Sequence, residues 1–140
     1  MIPLSHHGLW AGPSRLWHPD PLLPRRSNGE IDAAPGSLAY RWSVDGEDQR
    51  GTLVLAGPVL SLRGEWQDSW HTPGGMTAHG RWDGALLCLW STYQAGDETW
   101  GWRIEVEARD PEHLVLRMFN VLPDGLEQIA HDLRGARQRG

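Results

Sequence analysis

Residues 37–46 read SLAYRWSVDG, and the fold class is decided there. Leu38, Tyr40, Trp42 and Val44 alternate with Ala39, Arg41, Ser43 and Asp45. A period of two marks a strand with one buried face and one wet face. The Asp45-Gly46 pair then supplies the positive φ that a tight hairpin needs. The same alternation returns at 99–107, where Trp100, Trp102, Ile104 and Val106 interleave with Thr99, Gly101, Arg103, Glu105 and Glu107. Further turn signals divide the chain into segments of strand length near 8–18, 48–56, 59–71, 76–82, 85–93, 113–121 and 126–137.

Helix signals are poor. The last segment, GLEQIAHDLRGARQ, places Leu126, Ile129, Ala130 and Leu133 at helical spacing and reads equally as a closing strand. Residues 19–35, rich in Pro, Gly and polar side chains, are expected to be a long loop or flap with at most one short strand. Eight to ten antiparallel strands joined by tight turns predict an all-β chain. Its economical form is a single up-and-down β-barrel, because closure removes both edges. An open β-sandwich is the alternative. No repeat or linker breaks residues 1–140, so one domain is expected, with its core at 8–137.

Composition narrows the function. The net charge of −5 argues against a nucleic-acid partner. No apolar run approaches the roughly 20 residues that cross a bilayer, and the N-terminus has no signal-like pattern, so no membrane association is expected. Cys88 is the only cysteine, which suggests a reducing, cytoplasmic setting. In its apolar strand an inert buried thiol is expected. Lysine is absent, which removes Schiff-base and phosphate-loop chemistry. Nine tryptophans against one phenylalanine and two tyrosines favour walls that are apolar yet carry an N–H donor.

The segment around EWQDSWH (65–71) names a candidate site. Leu60, Leu62, Gly64, Trp66, Asp68 and Trp70 share one face, and Ser61, Arg63, Glu65, Gln67, Ser69 and His71 share the other. The second face is the more polar, so Asp68 travels inward with the indoles. A buried carboxylate must be paired, protonated or hydrogen-bonded. It is either solvated at a barrel mouth or a polar anchor inside a cavity. By the same alternation Tyr40, Trp42, Trp100, Trp102, Met118 and Asn120 point inward. So many indoles are hard to pack without leaving a gap, which predicts a cavity for a small apolar or aromatic ligand. The seven histidines show no metal-ligand spacing, so no metal site is expected. Ser69, His71 and Asp68 lie too close along one strand to form a triad, and no catalytic residue is assigned.

Gly8-Leu9-Trp10 opens the first strand as a GxW, and the last segment carries Arg134 and Arg137. This combination resembles the calycin superfamily of lipocalins and fatty-acid-binding proteins. There the first-strand Trp closes the barrel base against an Arg from the last strand. Asp110-Pro111 through LVLRMFNVLPDGLE is similar to the C-terminal half of short bacterial lipocalin-like domains of unknown function. The resemblance implies a closed barrel whose last segment is a strand, with either Arg134 or Arg137 against Trp10. It carries over no catalytic residue. A haem-binding branch, the nitrobindins, similarly uses a histidine near the chain end, which makes His131 a candidate haem ligand. The favoured expectation is a non-catalytic binding barrel without a cofactor. The alternatives are a haem protein, an enzyme using Asp68 as general acid or base on a small hydrophobic substrate, and a scaffold that forms a homodimer through exposed Val115, Phe119 and Val121.

Overall fold

The Asp45-Gly46 turn forms as expected. Both residues adopt positive φ, 52° and 77°, and the register places Val44 opposite Glu47 across a two-residue hairpin. The structure, a computed structural model, describes residues 2–139. After a 3-10 turn at Leu4–His6 come ten strands: β1 (Gly8–Leu16), β2 (Arg25–Ala34), β3 (Ser37–Val44), β4 (Glu47–Ala56), β5 (Leu62–Asp68), β6 (Thr72–Asp83), β7 (Leu86–Ala95), β8 (Glu98–Glu107), β9 (His113–Val121) and β10 (Glu127–Arg137). Each pairs antiparallel with the next, and β1 pairs with β10, so the sheet is a closed up-and-down barrel. The last segment is therefore a strand, and the open sandwich is excluded. No helix among the described residues is long and apolar enough to cross a membrane.

The 19–35 expectation needs correcting: residues 25–34 are a full strand, paired with β1 on one side and β3 on the other. Its inward residues Gly29, Ile31 and Ala33 are small or sparse, so the segment has a loop-like composition. The size limit is physical, since a Cβ on Gly29 would lie 2.6 Å from Leu133 Cδ1 of β10. The outward positions Val115, Phe119 and Val121 are also less open than expected. Val115 is buried, and the other two are half-buried. Long arginine stems cover this outer surface, and the Arg103 guanidinium sits 4.1 Å over the Phe119 ring. Cys88 is half-buried rather than sealed in the core.

One end of the barrel is plugged. Trp10 is fully buried, its indole N–H donates to the His6 carbonyl at 3.0 Å, and the His6 ring stacks on it at 5.3 Å. Arg137, the register partner of Trp10, lays its guanidinium 4.3 Å over the indole and donates to the carbonyls of Ser5 and Pro111. Arg137, not Arg134, thus fills the expected role at the barrel base. Above this plug the interior is aliphatic: Leu38, Leu53, Leu62, Leu87, Leu89, Ile104, Leu114, Leu116 and Leu133 are almost wholly buried. Toward the other end several inward rows turn aromatic or polar, through Tyr40, Trp42, Trp66, Trp102 and Asn120, with Met118 among them. The loops at 17–24, 45–46, 69–71, 96–97 and 122–126 surround that mouth. Replacing Arg137 by Met keeps the apolar stem and removes the cation. Urea unfolding should show a loss of about 1–2 kcal/mol, and an unchanged midpoint would mean the plug does not depend on the guanidinium.

Candidate functional site

Asp68 ends β5 with no exposure to solvent. Its cross-strand neighbour is Gly51, and Gly51 in turn faces Tyr40. Neighbouring strands lie about 4.8 Å apart, so a tyrosine reaches a residue two strands away only by lying across the position between. Gly51 leaves that space. A Cβ there would sit 2.1 Å from Tyr40 Cζ and 2.2 Å from its hydroxyl. Across the gap the Tyr40 hydroxyl donates to Asp68 Oδ2 at 2.6 Å and accepts from the Trp66 indole N–H at 2.8 Å. Burial and the neighbouring carboxylate push the Tyr40 hydroxyl well above its ordinary pKa, so it stays a neutral donor.

The other carboxylate oxygen, Oδ1, accepts the backbone N–H groups of Trp70 at 2.8 Å and His71 at 2.9 Å. Asp68 therefore caps its own turn, as aspartates commonly do. The β5–β6 register is interrupted between Trp66 and Asp68, and the chain swings round before Thr72. That swing corrects the strand-face expectation for His71: it leaves the polar outer face and packs among Trp42, Trp66 and Trp102, with ring centroids 5.3–5.9 Å away. Trp70 also lies past the strand end, half-exposed at the mouth against His18 and Trp42. Leu60, expected inside, sits exposed in the preceding turn.

A cavity of about 360 Å³ opens beside this turn. Four expected residues wall it: Trp66, Trp70, Trp102 and Asn120. Four more wall it that the strand pattern did not single out: His71, Thr72, Met76 and Tyr93. Trp66 and Trp102 stack at 5.1 Å and form one flat side. Asn120 Oδ1 accepts the Tyr93 hydroxyl at 2.6 Å. Tyr40, Asp68, Trp42 and Met118 stand behind the wall, and Trp100 flanks it beside Tyr93. Asp68 is thus neither solvated at the mouth nor part of the cavity surface; its partners all belong to the chain. Tyr93 had a readable signal, an aromatic at inward spacing two residues from Ser91 and four from Leu89. His71 and Met76 had none, because their facing depends on the turn and the broken register.

His131 is buried and faces inward because β10 carries a bulge between Ile129 and His131 that re-aims the strand. Its Nε2 meets the Ser14 hydroxyl at 2.9 Å, its Nδ1 lies 3.4 Å from His71 Nε2, and Trp42 packs 4.3 Å from its ring. Both ring nitrogens face protein groups, and the imidazole is not part of the cavity wall. These surroundings do not fit a haem-iron ligand, which needs a nitrogen open to the cavity. Among the described residues no group of three or more His, Cys, Asp or Glu is placed to hold a metal ion. No family model matches the sequence, and no curated protein matches it.

Burial holds both imidazoles neutral. It lowers His71 to about 4, against the opposing pull of Asp68 and with a further push from His18; it drives His131 well below its ordinary value, with His71 adding to the effect. As pH falls below about 6.5 the unfolded chain binds protons that folded His71 refuses until about pH 4. Stability should therefore drop across that window, and His71→Gln should flatten urea midpoints measured from pH 7 to 4.5. An unchanged slope would show that the His71 pKa is not depressed. Gly51→Ala should cost about 1–3 kcal/mol, because the methyl group meets the Tyr40 ring. A variant as stable as the parent would mean that Tyr40 does not cross that position.

Proposed function

We propose that this chain is a calycin-like binding barrel that holds a small apolar or aromatic ligand in its tryptophan-walled cavity. The observation that carries the reading is the cavity itself, about 360 Å³ with the Trp66–Trp102 stack along one side. That volume falls at the lower end of small-molecule sites, which combine apolar walls with a few placed polar groups. Asn120, Tyr93, Thr72 and His71 supply those groups here. The lipocalin-like kinship rests on the ten-strand closure and on Trp10 packed beneath Arg137 at the closed end. The lone, half-buried Cys88 suits a reducing, cytoplasmic setting. An enzyme reading built on Asp68 has less support, since both of its oxygens already accept hydrogen bonds from the chain.

Binding is tested with an uncharged fluorescent probe, N-phenyl-1-naphthylamine, and with native mass spectrometry of the protein as purified. The probe should bind one per chain. Thr72→Trp, which fills the cavity from its rim, should weaken binding by about tenfold or more while leaving the fold intact, about 1.4 kcal/mol. A parent protein that binds no probe and retains no small molecule would contradict the carrier reading.

A further inference from the structure

The outer wall of the barrel carries a second concavity, and its charge is opposite to that of the chain. Arg26 of β2, Arg15 of β1, Asp132 of β10 and Arg117 of β9 are register partners in one outward row across four strands. Arg134, two residues along β10 from Asp132, belongs to the same face. Together they line a cleft of about 280 Å³ whose apolar part includes the buried Val115. Four guanidiniums thus surround one carboxylate, in a chain whose net charge is −5. Asp132 is already committed: Arg15 Nε donates to its Oδ1 at 2.9 Å, and Arg15 Nη2 donates to its Oδ2. Arg117 leans away toward Glu105 and Glu107, at 3.5 and 3.4 Å. Arg26 and Arg134 are exposed and make no ion pair or side-chain hydrogen bond among the described residues. Arg134 acts on Asp110 only through space. Arg15 and Arg26 also stand directly opposite each other, and like charges in that position destabilise a sheet.

We propose that this cleft binds a phosphate group, free or as a monoester, between Arg26, Arg134 and the remaining N–H groups of Arg15. A guanidinium has five N–H donors, and Asp132 engages only two of those on Arg15. A doubly charged, tetrahedral anion meets several guanidiniums at once, whereas a single carboxylate matches one planar fork. The same anion offsets the repulsion between Arg15 and Arg26. A long polyanion such as a nucleic acid fits poorly, because Glu105 and Glu107 stand beside Arg117 and the chain as a whole is acidic. The cleft shares no residue with the tryptophan-walled cavity, and the proposal does not depend on that cavity being filled.

Isothermal titration of the full chain in dilute chloride buffer tests the site with inorganic phosphate, methyl phosphate and succinate. At least one of the two phosphates should bind, about tenfold or more tighter than succinate, and the tighter of them tells a free ion from a monoester. Arg26→Gln and Arg134→Gln change exposed side chains without ion pairs, and each should weaken that binding by about tenfold. Arg63→Gln, on β5 and outside the cleft, should leave it within about twofold. The better-binding phosphate should also raise the urea midpoint of the parent more than that of Arg26→Gln, which reads the same site through folding. If one cleft variant fails to fold by circular dichroism, the other carries the comparison. Succinate binding as tightly, an affinity untouched by the cleft variants, or an equal loss in Arg63→Gln would overturn the assignment. No binding by either phosphate would overturn it as well, and would leave the carrier reading standing, because that reading is measured with an uncharged probe in a different cavity.

Discussion

The hydrogen bond from Tyr40 to Asp68 across Gly51 organises the upper half of this barrel. Three strands contribute one residue each to a single row: a ring, a vacancy and a carboxylate. The glycine gives the tyrosine room, and the tyrosine satisfies one oxygen of a carboxylate that burial would otherwise penalise. The other oxygen is thereby left to cap the turn that carries Trp70 and His71. That turn takes His71 off the outer face and packs it among Trp42, Trp66 and Trp102. The aspartate shapes the cavity from behind its wall.

The barrel around this row is divided along its axis. Buried aliphatic side chains fill the closed end, and Arg137 packs over Trp10 there. Indoles and imidazoles occupy the mouth end, where flat, rigid rings pack with less freedom and leave a gap. Neutral histidines suit that place. Burial among these rings disfavours the charged form of each imidazole, and at His71 it outweighs the opposing pull of Asp68.

Much of this was legible in the chain. The alternation at 38–44 and 100–106 and the Asp-Gly turns point to the strands and hairpins, because a period of two and a positive φ are local properties. The inward direction of Asp68 was legible for the same reason. Its partners were not, since Tyr40 lies 28 residues away and Gly51 shows its purpose only when the register sets it between them. Strand β2 hid because its inward positions are small where β10 crowds it. His71 and His131 were misjudged or undetermined because an interrupted register and a bulge reset their facing, and neither leaves a mark on hydrophobic periodicity. Val115 was expected outside and lies buried, because arginine stems cover apolar surface that their charge would suggest is open.

The carboxylate stands behind the cavity wall, and its hydrogen bonds hold the turn that carries Trp70 and His71. The measurement that tests this most directly is a double-mutant cycle on unfolding with Tyr40→Phe, Asp68→Asn and the pair. A direct hydrogen bond to a buried carboxylate predicts a coupling of about 1.5–3 kcal/mol. Single changes that add to within about 0.5 kcal/mol would show that Asp68 and Tyr40 act independently, and the account of how the cavity is built would be wrong.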